Sequence, residues 1–184
     1  MNEPTTVLTD YALAALSGFL GLRLVKYSRF WALAFLALSL GALLGGTWHG
    51  FWQSDFLWKA TTLAVGVASF GMLAGSANIV TTGKLRSALI GFAAGKLVVY
   101  SAWMLSHDDF IWVVVDTGSA LAIVGLLHVL RWNPWMVAGV AISVLAGLVQ
   151  ASGLALHAHF NHNDLYHVIQ IAAMFAFYNG LKKR

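Results

Sequence analysis

Apolar residues run through this chain in seven long blocks separated by short polar breaks, and that alternation predicts its architecture. The blocks span about 8–26, 30–51, 56–80, 86–106, 110–130, 134–156 and 163–181. Crossing roughly 30 Å of hydrocarbon takes about 20 helical residues, so each block suffices for one transmembrane helix. The breaks are Lys26-Tyr-Ser-Arg29, Gln53-Ser-Asp55, Thr81-Thr-Gly-Lys84, His107-Asp-Asp109, Arg131-Trp-Asn-Pro134 and a polar stretch from His157 to His167. None has room for a soluble domain. The pattern predicts an all-α, polytopic membrane protein, a single seven-helix bundle over residues 1–184.

Composition agrees, with 59% hydrophobic and 10% charged residues, where a soluble domain carries about 25% charged. The net charge of +4 would suggest nucleic acid in a soluble protein. Here nine of the eleven basic residues (Arg23, Lys26, Arg29, Lys84, Arg86, Arg131, Lys182, Lys183 and Arg184) fall where odd-numbered helices end. The positive-inside rule makes that side cytoplasmic, with the N-terminus outside and the C-terminus inside, in a bacterial inner membrane. Nucleic acid is thereby rejected as a partner, and membrane lipid is expected. All seven acidic residues fall in the opposite half, and the eight tryptophans land near helix ends, as an aromatic belt does. With no cysteine, disulfides and thiolate metal sites are excluded. Gly41-x3-Gly45, Gly71-x3-Gly75 and Gly91-x3-Gly95 are faces on which helices can approach closely.

Chemistry concentrates at the outer side. His49 ends the second helix, Asp55 opens the third, and His167 lies one turn into the seventh, all at one depth. Imidazole suits Zn²⁺, and three protein ligands with one water make an open catalytic site. The bound water becomes a nucleophile near neutral pH, and Asp55 would serve as its general base. Helical geometry sorts the remaining ligands: Asp164 and Asn163 lie within about 60° of His167 on the helix wheel, His162 about 140° away. His162 therefore joins only from the loop or cap. Gln170, one turn below His167, is expected to hold its other ring nitrogen. Interfacial histidines bonded to loop backbone are the plainer alternative.

A second constellation is Lys96 with Asp116, each inside a helix and a few residues apart in depth. Intramembrane charges are costly and are usually paired. A pair locking helices four and five is expected, with a proton or ion relay as its functional counterpart. Lys59 is expected to pair with Asp55 or Asp164, or equally to snorkel outward.

Seven helices, a histidine ending the second, an aspartate opening the third and a histidine opening the seventh resemble the superfamily of alkaline ceramidases and progestin–adipoQ receptors. The resemblance implies a zinc-dependent membrane hydrolase acting on lipid amides. Where that superfamily carries His-x3-His in the seventh helix, this chain reads Asn163-Asp-Leu-Tyr-His167. Its serine one turn before the helix-two histidine is here Gly45. The implied zinc site therefore comprises His49 and His167, with His162 or Asp164 as third ligand. The competing expectation is a non-enzymatic transporter or sensor with a histidine-rich outer vestibule and the Lys96–Asp116 pair.

Overall fold

The structure, a computed structural model, describes residues 3–157 and 159–182. Seven α-helices account for nearly all of them: α1 Pro4–Leu24, α2 Arg29–Gly50, α3 Asp55–Val80, α4 Gly83–Met104, α5 Ile111–Leu130, α6 Pro134–Ser152 and α7 His162–Lys182. Six, α1 to α6, are long and apolar enough to cross a membrane. α7 has the length, at 21 residues, but His162, Asn163, Asp164, His167 and Gln170 lower its hydropathy. Lys183 and Arg184, counted above toward the basic side, lie outside the described residues.

Local chemistry sets the helix boundaries. α1 starts four residues earlier than the apolar block, because Pro4 brings the φ a first helical turn needs and loses no required N–H. Ser28, Ser54 and Asn133 cap α2, α3 and α6 by accepting a backbone N–H from Trp31, Leu57 and Met136. α6 stops at Gly153, whose φ of 67° is left-handed. The chain then turns tightly between His157 and Phe160 before α7.

The helices close a ring in the order α1, α2, α3, α5, α6, α7 and back to α1, while α4 packs on the outside against α3 and sparsely against α5. Trp31, Phe35 and Phe177 are fully buried at the centre. Close approach of α2 and α3 depends on glycine: a Cβ on Gly71 would lie 2.7 Å from Phe30 O and 2.8 Å from Ala34 N, and one on Gly75 would strike Trp31. Gly41 meets Val65 across the same seam. Gly91 and Gly95 of α4, by contrast, have nothing within 4 Å. Large apolar side chains such as Leu8, Phe19, Leu22, Val98, Val99 and Leu148 point outward, the surface that hydrocarbon would cover.

Lys96 reaches from α4 to Asp116 Oδ1 of α5 at 2.5 Å and Ser69 Oγ of α3 at 3.0 Å. The expected pair therefore forms, and it pins the outlying helix to the ring. Lys59 pairs with neither Asp55 nor Asp164: its Nζ bonds Met104 O and His107 O and meets Asp108. It closes the carbonyl end of α4, where a cation is favoured. Removing one partner of a buried pair costs about 3–5 kcal/mol, whereas replacing both by apolar residues is often neutral. Lys96→Met should therefore destabilise the bundle far more than Lys96→Met with Asp116→Leu, as denaturation in detergent would show.

Candidate functional site

The start of α7 is built by its own side chains. Asn161 Oδ1 accepts the backbone N–H of Asn163 (2.8 Å) and Asp164 (3.4 Å), while Asp164 Oδ2 accepts that of Asn161 (2.7 Å). This is a reciprocal cap of the capping-box form, and it fixes how α7 enters the bundle. Asp164, only 1% exposed, thus has a structural duty at Oδ2. Its Oδ1 lies 3.5 Å from Thr9 Oγ1.

His167 follows one turn later, 8% exposed, and faces α1. Its Nδ1 is 3.1 Å from Thr9 Oγ1 and its Nε2 is 3.0 Å from Asp10 Oδ1. Asp10 is 4% exposed, and its second oxygen, Oδ2, is buried with no hydrogen-bond partner among the described residues. The space around it belongs to Gly45, whose Cβ would stand 3.8 Å from both Asp10 oxygens. A carboxylate from α1 therefore occupies the region where the resemblance places a serine of α2. His49, in the last turn of α2, sets Nδ1 3.2 Å from Glu3 Oε2, and Glu3 in turn accepts from Thr6 Oγ1. The result is an acid–histidine cluster, Glu3, Asp10, His49, Asp164 and His167, where α1, α2 and α7 meet.

Of the residues expected from sequence, the structure brings His49, Asp164 and His167 into this region. Two are not brought in. Asp55 is exposed at the start of α3 and makes no hydrogen bond or ion pair with a described residue, because its helix turns that face outward. His162, the first residue of α7, likewise has no polar partner among the described residues and sits across the helix from His167, as its wheel angle required. Gln170 does not hold His167 either; it donates to Ser143 Oγ at 3.2 Å, and Thr9 takes the expected place. Sequence reasoning missed Asp10 and Glu3. Asp10 carries the same signal that marked Asp116, an acidic residue inside an apolar block.

These side chains do not fit a zinc ion as they stand. Among the described residues no three His, Asp or Glu groups converge as a metal requires. His167 has Nδ1 on Thr9 and Nε2 against Asp10, and Asp164 is committed to the cap. What the cluster can do is move a proton: imidazole and carboxylate at 3.0 Å can hold one at Nε2 or Oδ1.

Beside the cluster lies an apolar cavity of about 250 Å³ enclosed by α2, α3, α5, α6 and α7. Tyr166 connects the two, lining the cavity while its ring meets that of His167 edge-on at 5.3 Å. Polar groups in the wall are few; Thr117 Oγ1 and Gln150 Oε1 have no hydrogen-bond partner among the described residues. Its exposed lining residues, Gly118, Val144, Leu148 and Ala151, all belong to α5 or α6, so it opens sideways between those helices.

An all-α bundle of membrane-spanning length, with an acid–histidine cluster buried at one end, is the class this fold and site define. Residues 5–184 match a family of unknown function, DUF6962, and the chain belongs to that family. No curated protein and no solved structure matches the chain significantly.

Proposed function

We propose that this protein is an integral membrane hydrolase that cleaves an amide or ester bond of a lipid or similar amphiphile at the outer face of a bacterial inner membrane. In this reading all seven helices span, with the N-terminus outside and the C-terminus cytoplasmic, and the cluster lies at the outer end. One observation carries the reading: His167 held between Asp10 and Thr9, beside a cavity that opens toward the lipid. Buried ionisable groups within a membrane bundle are costly to keep and are by default the starting hypothesis for a functional site.

The chemistry follows from the donors. Asp10, whose buried Oδ2 has no hydrogen-bond partner among the described residues, supplies the base, and the His167–Asp10 pair takes the proton of a water molecule as the water oxygen attacks the carbonyl carbon. The same pair returns that proton to the departing nitrogen or oxygen as the C–N or C–O bond breaks, a contribution of about 10²–10⁴ in rate. Thr9 holds the ring through Nδ1. The apolar tail of the substrate enters between α5 and α6 and lies in the cavity, its scissile group beside Tyr166. His49 and Glu3, nearer the surface, exchange the proton with water. No step runs through a metal.

The test is turnover of a panel of lipid amides and esters in mixed micelles by purified protein, wild type beside His167→Ala and His49→Ala, with zinc measured on the same samples. At least one substrate should be hydrolysed by wild type and none by His167→Ala. Folded wild-type protein that cleaves nothing in the panel would sink the reading. The geometry predicts well under one zinc per chain. Near-stoichiometric zinc, lost in both variants, would mean that the bonds around His167 yield to a metal and that the zinc-dependent form implied by the resemblance is the correct one.

A further inference from the structure

α5 and α6 touch toward one end of the bundle and part toward the other. At Gly125 they are close, since a Cβ there would stand 3.3 Å from Val140 Cγ1. Nearer the end that carries the acid–histidine cluster the seam opens. Gly118 of α5 and Gly147 of α6 both line the apolar cavity, and a Cβ on either would meet nothing within 4 Å. By helical rise these glycines sit about 8–11 Å from that end of their helices, at the depth of lipid tails in a leaflet whose hydrocarbon is about 15 Å thick. Val144, Leu145 and Leu148 are exposed beside the opening, so hydrocarbon is what stands at its mouth.

The cavity behind the opening is long and narrow. Its lining begins at Phe110 and Ala151, beside that end, and continues to Leu121 and Met174, which helical rise places about 15–18 Å in. Spread over this length, about 250 Å³ takes one hydrocarbon chain and not two abreast, because neighbouring chains need about 4 Å between their carbon atoms. The wall decides the chemistry. Thr117 Oγ1 and Gln150 Oε1 are themselves covered, with under 1 Å² of surface each, so they offer a polar ligand nothing to bond. An apolar cavity stays dry, which excludes water, an ion or a headgroup as its filling. Left empty, it would cost the bundle packing contacts along its length. A straight chain drawn from the adjoining lipid restores them.

We infer that the α5–α6 seam is a lateral portal that admits one unbranched acyl chain, and that Gly118 and Gly147 determine which tails pass. Both are glycine where any larger side chain would stand in the opening. The same narrowness refuses a branched or ring-bearing tail. As a statement about substrate this rests on the hydrolase reading and deepens it: the amphiphile carries its scissile bond at the end of a single straight chain, beside Tyr166. The seating of the chain does not depend on hydrolysis.

The experiment uses the full chain in lipid nanodiscs and two photoactivatable fatty amides, each with a diazirine near the end of its tail, one tail straight and one heavily branched. In wild type the straight probe should label the segments around Phe35 and Met174, cavity residues that are buried from the lipid face. Labelling at Val98 and Val99, exposed on α4, reports contact from the bilayer alone. The branched probe should label only α4. In the Gly118→Leu, Gly147→Leu double variant, interior labelling by the straight probe should fall roughly tenfold or more while α4 labelling is unchanged. Interior labelling at background in wild type, as when a second copy plugs the seam, would overturn the inference. Equal interior labelling by both probes, or labelling that survives in the double variant, would do the same. If the double variant does not fold, the two probes on wild type decide alone. Turnover of a long-chain amide and its acetyl counterpart separates the portal from the hydrolase reading. Interior labelling without turnover of any substrate leaves the portal standing and ends that reading, and turnover without interior labelling does the reverse.

Discussion

Asp10→Asn is expected to lower turnover by about 10²–10⁴ while leaving the bundle folded, and Asp55→Asn is expected to leave it within about twofold. Asparagine keeps the size of the side chain that fills the space beside Gly45 and can still hydrogen-bond to His167. It cannot take a proton, so the acid–base pair is broken without a cavity. Asp55 is the necessary comparison, because the spacing of His49, Asp55 and His167 makes it the natural base on sequence grounds alone. Its side chain is exposed and without a polar partner among the described residues, so removing its charge should reach the reaction only through long-range field. Initial rates on the best substrate of the panel, with folding checked by circular dichroism, provide the measurement. Equal losses in the two variants would return the role of base to Asp55 and detach Asp10 from the chemistry.

The second large effect is structural. Gly71→Ala should destabilise the bundle by about 1–3 kcal/mol, the usual cost of overpacking. The new methyl group would meet Phe30 O at 2.7 Å and Ala34 N at 2.8 Å. Both are backbone atoms of α2, which no rotamer change can move aside, so α2 and α3 must separate around the Trp31 core. Gly91→Ala is the control on α4, where nothing lies within 4 Å. There the higher helix propensity of alanine should leave stability unchanged or slightly raised. Unfolding in increasing denaturing detergent would show it, and equal midpoints for Gly71→Ala and wild type would contradict the close packing of α2 on α3.

How far the candidate site could be read in advance differs residue by residue. His49 and His167 were legible because each sits at the end of an apolar block, where depth in the membrane follows from counting. His162 could be a third ligand only from the loop or cap; it is instead the first residue of α7, where its wheel angle carries it away from His167. Asp164 lies near His167, as its wheel angle implies, and its duty in the cap also has a sequence signal, since Asn161-x2-Asp164 has the spacing of a capping box. Asp10 could not be assigned to His167 from sequence. The two residues are 157 positions apart, and only the packing of α1 against α7 joins them. The partner of Lys59 was open for a related reason, since several carboxylates lie in the same half and the lateral arrangement of helices selects Asp108.

What the sequence determined by itself was the number of helices, their approximate limits, the end of the bundle that carries the histidines and the presence of a buried Lys96–Asp116 pair. These follow from one-dimensional rules: the hydrophobic period, the length needed to cross a bilayer and the cost of an unpaired charge in an apolar block. Only the tertiary structure decided that α4 stands outside a six-helix ring, that Asp10 rather than Asp55 faces His167, and that a cavity opens between α5 and α6. Those depend on the order of helices around the ring and on each helix's rotation about its own axis. Both are set by close contacts such as Gly71 against Phe30, which leave no trace in the periodicity of the chain.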